Sequence, residues 1–235
     1  MALEILKPEW GAQRPIRGIL FDMDGLVLDT ERLYTRFWME AAHTLGYPMT
    51  KTQALGMRSL GKPMAQPLLE SWFGPTVSYN AVRAKRIELM DAFIAQHGIA
   101  PKPGIYELLD YLEQARIPCA ITSSSPMAYI RRHLGSQDLL HRFTQLCSGH
   151  EVAHGKPAPD IYLHGAAALG LDPGECLALE DAPAGILSAS RAGCLPVLIP
   201  DQDVPGEETR TLCYAQADSL ADIIGLLKTH NGHPR

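Results

Sequence analysis

The chain has 235 residues, 46% of them hydrophobic and 20% charged, with a net charge of -5. That is enough chain for a sizeable core plus a smaller insert, and the acidic balance gives no sign of a nucleic-acid or membrane-surface binder. Five scattered cysteines (Cys119, Cys147, Cys176, Cys194, Cys213) form no C-x-x-C pair and are expected to be reduced core thiols.

In chain order, residues 1–15 hold two prolines and no sustained periodicity, and read as a loose leader. They contain no signal-peptide core, and no apolar segment approaches the roughly 18 residues that span a bilayer. A cytoplasmic protein with no membrane partner is expected, acting as a monomer. Residues 16–21 read as the first strand, which runs out into Asp22-Met23-Asp24-Gly25. Beyond Thr30 the spacing turns helical: Leu33, Phe37 and Ala41 recur on one face with Tyr34, Trp38 and Leu45. Helices are expected to about Gly98, most clearly over 64–72 and 81–96. After Pro101-Lys102-Pro103-Gly104 short apolar runs and helical segments alternate. Strands are expected at 118–122, 143–147, 176–179, 196–199 and 212–215. Helices are expected at 105–115, 126–134, 158–169, 183–192 and 219–227, the last capped by Asp218. This alternation predicts an α/β fold, a doubly wound Rossmann-like parallel sheet. Residues 1–30 and 101–235 would form that core. Residues 31–100 would be an inserted all-helical cap, hung like a lid over the strand ends.

Four predicted strand exits carry polar groups: Asp22 and Asp24; Thr122-Ser123-Ser124; Lys156 in His154-Gly155-Lys156-Pro157; and Glu180-Asp181. Parallel strands bring their exits to one edge. Each piece alone has a bland reading: Asp favours turns, serine runs cap helices, a lone Lys is a solvated charge, and acidic pairs suit helix N-termini. Their common position argues for chemistry instead, and the residue types suit phosphoryl transfer from a monoester. A carboxylate, Asp22, can attack phosphorus. Like charges oppose that attack, so a hard cation such as Mg²⁺ is needed, held by Asp22, Asp181 and the Asp24 carbonyl, with Glu180 behind a bound water. Ser123, Ser124 and Lys156 would take the phosphate oxygens, and Asp24 would shuttle the proton.

The same stretches resemble the haloacid dehalogenase superfamily of aspartyl-phosphate phosphotransferases. Phe21-Asp22-Met23-Asp24-Gly25-Leu26-Val27-Leu28-Asp29-Thr30-Glu31 is similar to its first motif and Ile121-Thr122-Ser123-Ser124 to its second. Gly155-Lys156-Pro157-Ala158-Pro159-Asp160-Ile161-Tyr162 is similar to the third, and Leu179-Glu180-Asp181-Ala182-Pro183-Ala184-Gly185 to the fourth. The resemblance spans about residues 16–200. It is strongest to the helical-cap branch with β-phosphoglucomutase, pseudouridine 5′-phosphatase-like and 2-deoxyglucose-6-phosphatase-like members. It implies a Rossmann-like core, Mg²⁺ and a small phosphorylated metabolite as substrate, a sugar phosphate or nucleoside monophosphate. In the cap, Arg58 sits where relatives keep a specificity loop, so substrate contact is expected there. Superfamily dehalogenases lack the second carboxylate, so Asp24 argues against halide chemistry. The β-phosphoglucomutases carry a histidine where this chain has Tyr34, which favours hydrolysis over the alternative, a sugar phosphomutase. A non-catalytic phosphometabolite-binding protein is the alternative of another class. His150-Glu151-Val152-Ala153-His154 fits a zinc-protease pattern, but that chemistry needs both histidines on one helix face. Gly149, Gly155 and Pro157 surround it, so the helix is not expected.

Overall fold

Seven strands form one sheet among the described residues, which are 3–11, 15–57, 60, 62–201 and 206–230 of the computed structural model. They are β1 (Leu3–Ile5), β2 (Gly18–Phe21), β3 (Cys119–Ser123), β4 (Gln145–Ser148), β5 (Cys176–Glu180), β6 (Leu195–Leu198) and β7 (Ala215–Ala217). The spatial order is β1-β7-β6-β5-β2-β3-β4. All neighbours pair in parallel except β1, which runs antiparallel to β7. Strands β2, β3 and β5 are buried along their whole length, as expected of strands covered on both faces. Register matters most at β2. Phe21 lies beside Ile121 of β3 and Leu179 of β5. The residues that follow each of them therefore leave the sheet at one edge. The chain winds outward from β2 through β3 to β4, and on the other side from β5 to β7. The crevice where such windings part is where ligands bind in open parallel sheets.

The helices are α1 (Pro8–Gly11), α2 (Thr30–Thr44), α3 (Lys51–Gly56), α4 (Lys62–Phe73), α5 (Tyr79–His97), α6 (Ile105–Ala115), α7 (Met127–Gly135), α8 (Asp160–Leu169), α9 (Pro183–Arg191), α10 (Glu207–Arg210) and α11 (Asp222–His230). By contacts the chain divides into two compact units, Met1–Asp29 with Ala100–Arg235, and Thr30–Ile99. In the first, α8 packs on β2, β3 and β4. Its buried Ile161, Tyr162 and Ala166 meet Leu20, Ala120 and Ala178. Phe21, on the other face of β2, packs edge-on against Phe143. The second unit holds α2 to α5 around its own core of Trp38, Ala41, Met49, Leu69 and Val82. There Arg86, 9% exposed, lies over the rings of Tyr34 and Trp38 at 4.7 and 5.2 Å.

Three expectations from the sequence are corrected. Residues 3–5 are not a loose leader: they form β1, whose partner lies at the far end of the chain. The last strand is Ala215–Ala217, three residues beyond the expected start. Leu212 to Tyr214 are the more apolar residues, and Cys213 and Tyr214 fill the core just before the strand. Helix α11 starts at Asp222 rather than after Asp218. Asp222 reaches back to accept from the Ser219 N–H and hydroxyl at 3.0 and 2.8 Å, which holds the preceding residues in a turn.

All five cysteines are free and buried. Burial pushes Cys119, Cys176 and Cys213 up to about 12 and Cys147 up to about 11. They are packing residues with little thiolate at neutral pH. No helix of the described residues is long and apolar enough to cross a membrane.

Candidate active site

The first carboxylate, Asp22, follows directly on β2, and its N–H still donates to Leu179 O at 3.0 Å. The strand's ladder thus runs one residue past its end and fixes the Asp22 backbone. The chain then turns sharply. Met23 O accepts from the N–H groups of both Val27 and Leu28 at 3.0 Å, and the Gly25 N–H donates to Leu28 O at 2.9 Å. Gly25 takes φ +89°, a conformation open to glycine and costly for a side chain. This tight loop returns Asp24 to the same edge. There the Ser125 hydroxyl donates to Asp24 Oδ2 at 2.8 Å, and the Ser123 hydroxyl lies 3.5 Å from the same oxygen.

The serine run divides its work. Ser123, fully buried, accepts the Ser125 N–H at 3.0 Å. Ser124 is exposed at the turn. Ser125 carries no expected role from the sequence, yet its hydroxyl lies nearer Asp24 Oδ2 than that of Ser123. Being third in a serine run was its only signal.

Lys156 stands on the loop before α8, and α9 anchors that loop. The Ser188 hydroxyl donates to Ala158 O at 2.5 Å, and the Arg191 guanidinium donates to Pro157 O at 3.0 Å. The Lys156 ammonium reaches Asp22 Oδ1 at 2.5 Å and Glu180 Oε1 at 2.6 Å. Burial works against its charge, but Asp22 and Glu180 outweigh burial and hold its pKa above the ordinary lysine range. Burial acts on Glu180 in the same sense against charge and pushes it up to about 7, with Lys156 opposing and Asp22 adding to the rise.

Asp22, Glu180 and Asp181 each offer a carboxylate oxygen within 4.8 Å of the others, and all three are buried. Three buried carboxylates gather here, all oxygen donors, and the Lys156 ammonium touches two of them. That donor set fits a hard divalent cation and would not select a soft one. The Asp24 carboxylate is not among these three.

Gly185, in the first turn of α9, is needed where it is. A Cβ there would lie 1.9 Å from Glu180 Cδ and Oε1 and 2.2 Å from Oε2. Gly185→Ala is expected to destabilise the fold by about 1–3 kcal/mol through overpacking and to displace the Glu180 carboxylate. Urea unfolding together with a divalent-cation titration checks both parts.

Tyr162 ends the stretch similar to the third motif, with no role of its own expected from the sequence. Its hydroxyl donates to Glu180 Oε1 from beneath. Arg58 lies outside the described residues. The His150–His154 stretch makes no helix of the zinc-protease kind. Gly149–Glu151 is a single 3-10 turn in which Glu151 accepts the Ser148 N–H at 3.1 Å, and His154 turns to Asp160 at 3.0 Å.

A family model for haloacid dehalogenase-like hydrolases matches residues 16–193. A Drosophila melanogaster protein named "Probable pseudouridine-5'-phosphatase" is 34% identical over 219 residues, covering 89% of this chain and 92% of its own. Hexitol phosphatase A of Escherichia coli (strain K12) is 36% identical over 180 residues, 76% of this chain and 80% of its own. In fold, the chain is similar to a HAD family hydrolase from Deinococcus radiodurans R1 solved with bound phosphate and sodium. The TM-score is 0.80 at 22% identity, over 93% of this chain and 97% of that one. With the family model covering well over half of its length, the chain belongs to the haloacid dehalogenase-like hydrolases.

Proposed function

We propose that this protein hydrolyses a small phosphomonoester, a sugar phosphate or nucleoside monophosphate, through a phosphoenzyme on Asp22 and with Mg²⁺ as cofactor. The observation that carries this reading is the meeting of Asp22, Lys156, Glu180 and Asp181 at one sheet edge, with Asp24 held beside them by Ser125. The names of the similar phosphatases support the substrate class.

Asp22 attacks phosphorus, an acyl-phosphate bond forms, and the bond from phosphorus to the leaving oxygen breaks. Asp24, entering protonated, gives its proton to that oxygen as the alcohol departs. In the second half Asp24 takes a proton from water as the water oxygen bonds to phosphorus. The bond to Asp22 breaks and inorganic phosphate leaves. Lys156 and the turn at Ser123 and Ser124 are assigned to the remaining phosphate oxygens, where fixed positive charge and donors favour the developing negative charge. Asp22, Glu180 and Asp181 would hold Mg²⁺ with the Asp24 carbonyl; when bound, the cation offsets the repulsion between the Asp22 carboxylate and the phosphate dianion. Residues 31–100 are assigned the choice of leaving group, with Arg58 as their substrate contact on sequence grounds.

A panel of sugar phosphates and nucleoside monophosphates, assayed for phosphate release with and without Mg²⁺, tests this. Mg²⁺-dependent release from at least one class is expected. Isomerisation of a hexose 1-phosphate without phosphate release would point to a mutase instead, and binding without any turnover to a sensor.

A further inference from the structure

Glu180 is held from more than one direction, and Tyr162, which ends the stretch similar to the third motif, supplies one of the contacts. Its ring is fully buried in α8, packed with Leu20, Ala120 and Ala178 under the sheet's edge. The Lys156 ammonium lies 5.2 Å from the ring centroid. The phenol donates to Glu180 Oε1, the oxygen that also accepts from Lys156 at 2.6 Å. A phenol carries its proton at neutral pH, so it is a donor to the carboxylate. On the other side the carboxylate rests on the bare Cα of Gly185. Two donors saturate Oε1 while the helix backbone fixes the plane of the group.

We propose that Tyr162 is a positioning residue for the divalent cation, acting through Glu180. By fixing Oε1 it presents the other oxygen, Oε2, to the cation or to its bound water. This rests on the reading of Asp22, Glu180 and Asp181 as a cation site. Without the phenol, Oε1 keeps only Lys156, which it shares with Asp22. The carboxylate is then free to follow the ammonium toward Asp22 and away from the cation. Outer partners of this kind commonly contribute about ten- to a hundredfold to metal affinity.

The test is direct Mg²⁺ titration by calorimetry of the wild type, Tyr162→Phe, and Leu20→Val as a packing control in the same cluster. Tyr162→Phe is expected to weaken Mg²⁺ by about tenfold, with Leu20→Val staying within about twofold of wild type despite lower stability. A urea series with and without Mg²⁺ reads the same affinity from cation-induced stabilisation, even if Tyr162→Phe is partly unfolded. Tyr162→Phe that loses stability like Leu20→Val but keeps wild-type Mg²⁺ affinity overturns the inference. A wild type that binds no divalent cation overturns the cation site itself, and the two failures are thereby distinguished.

Discussion

Asp22→Asn is expected to lower turnover by about 10³-fold or more while leaving the chain folded. The amide is nearly isosteric, and the Asp22 backbone is fixed by the hydrogen bond to Leu179 rather than by the side chain. What is lost is the attacking carboxylate. Asp24 is engaged with Ser125, while Glu180 lies under Lys156 and Tyr162. The substitution also removes one of the two carboxylates that Lys156 touches, so the ammonium should pass wholly to Glu180. Divalent-cation affinity should fall with it, because the cluster drops from three carboxylates to two. Steady-state phosphate release and circular dichroism on the same preparation check this. Turnover within about tenfold of wild type would remove Asp22 from the nucleophile's role.

Lys156→Met should have the largest effect on stability. The methionine keeps the apolar stem but leaves Asp22 and Glu180 buried without the ammonium they share. Breaking a buried ion pair by deleting one partner costs about 3–5 kcal/mol, and here two carboxylates lose their shared partner at once. In cation-free buffer the variant is expected to unfold at markedly lower urea concentration. Added Mg²⁺ should recover much of the loss, since a ligand at about a hundred times its dissociation constant contributes about 2.7 kcal/mol. Turnover should stay low even so, because phosphate has lost its ammonium.

Glu180 adds a pH signature to the wild type. Its folded value is raised from 4.5 to about 7. A raised carboxyl contributes stability that is complete below 4.5 and is lost as pH climbs through about 7. Cation-free protein should therefore lose the Glu180 share across that window, and the stabilisation by Mg²⁺ should grow across the same window. Unfolding in chelator and in Mg²⁺ at several pH values between these limits measures the difference. A Mg²⁺ effect that is flat with pH would contradict it.

Much of this site was legible because its residues sit where apolar runs stop. Asp22, Ser123 and Glu180 each end or follow a buried strand, and parallel registration alone brings them together. What stayed hidden depends on contacts between distant segments. Strand β1 is three residues long and has no local signal, since it exists only by pairing with residues 215–217. Strand β7, Ala-Gln-Ala, is less apolar than the Leu-Cys-Tyr that precedes it, so hydrophobicity placed it too early. Tyr162 reads along the sequence as one more residue of a helix's apolar face. Its hydroxyl gains meaning only once Glu180 arrives from β5. Ser125 is similar: it is ordinary in sequence and acquires its role from a carboxylate that another strand delivers. Gly185 ends the stretch similar to the fourth motif, but the reason for a glycine there shows only once the Glu180 side chain is placed against it.

The central claim is a covalent phosphoryl group on Asp22. The most direct measurement is to quench the enzyme in acid during turnover, reduce any acyl phosphate with borohydride, and map the peptides by mass spectrometry. Homoserine should be found at position 22 and nowhere else, and it should be absent when substrate is omitted. Modification at Asp24 or another residue, or an unmodified Asp22 in an enzyme trapped with its phosphoryl group elsewhere, would contradict the account.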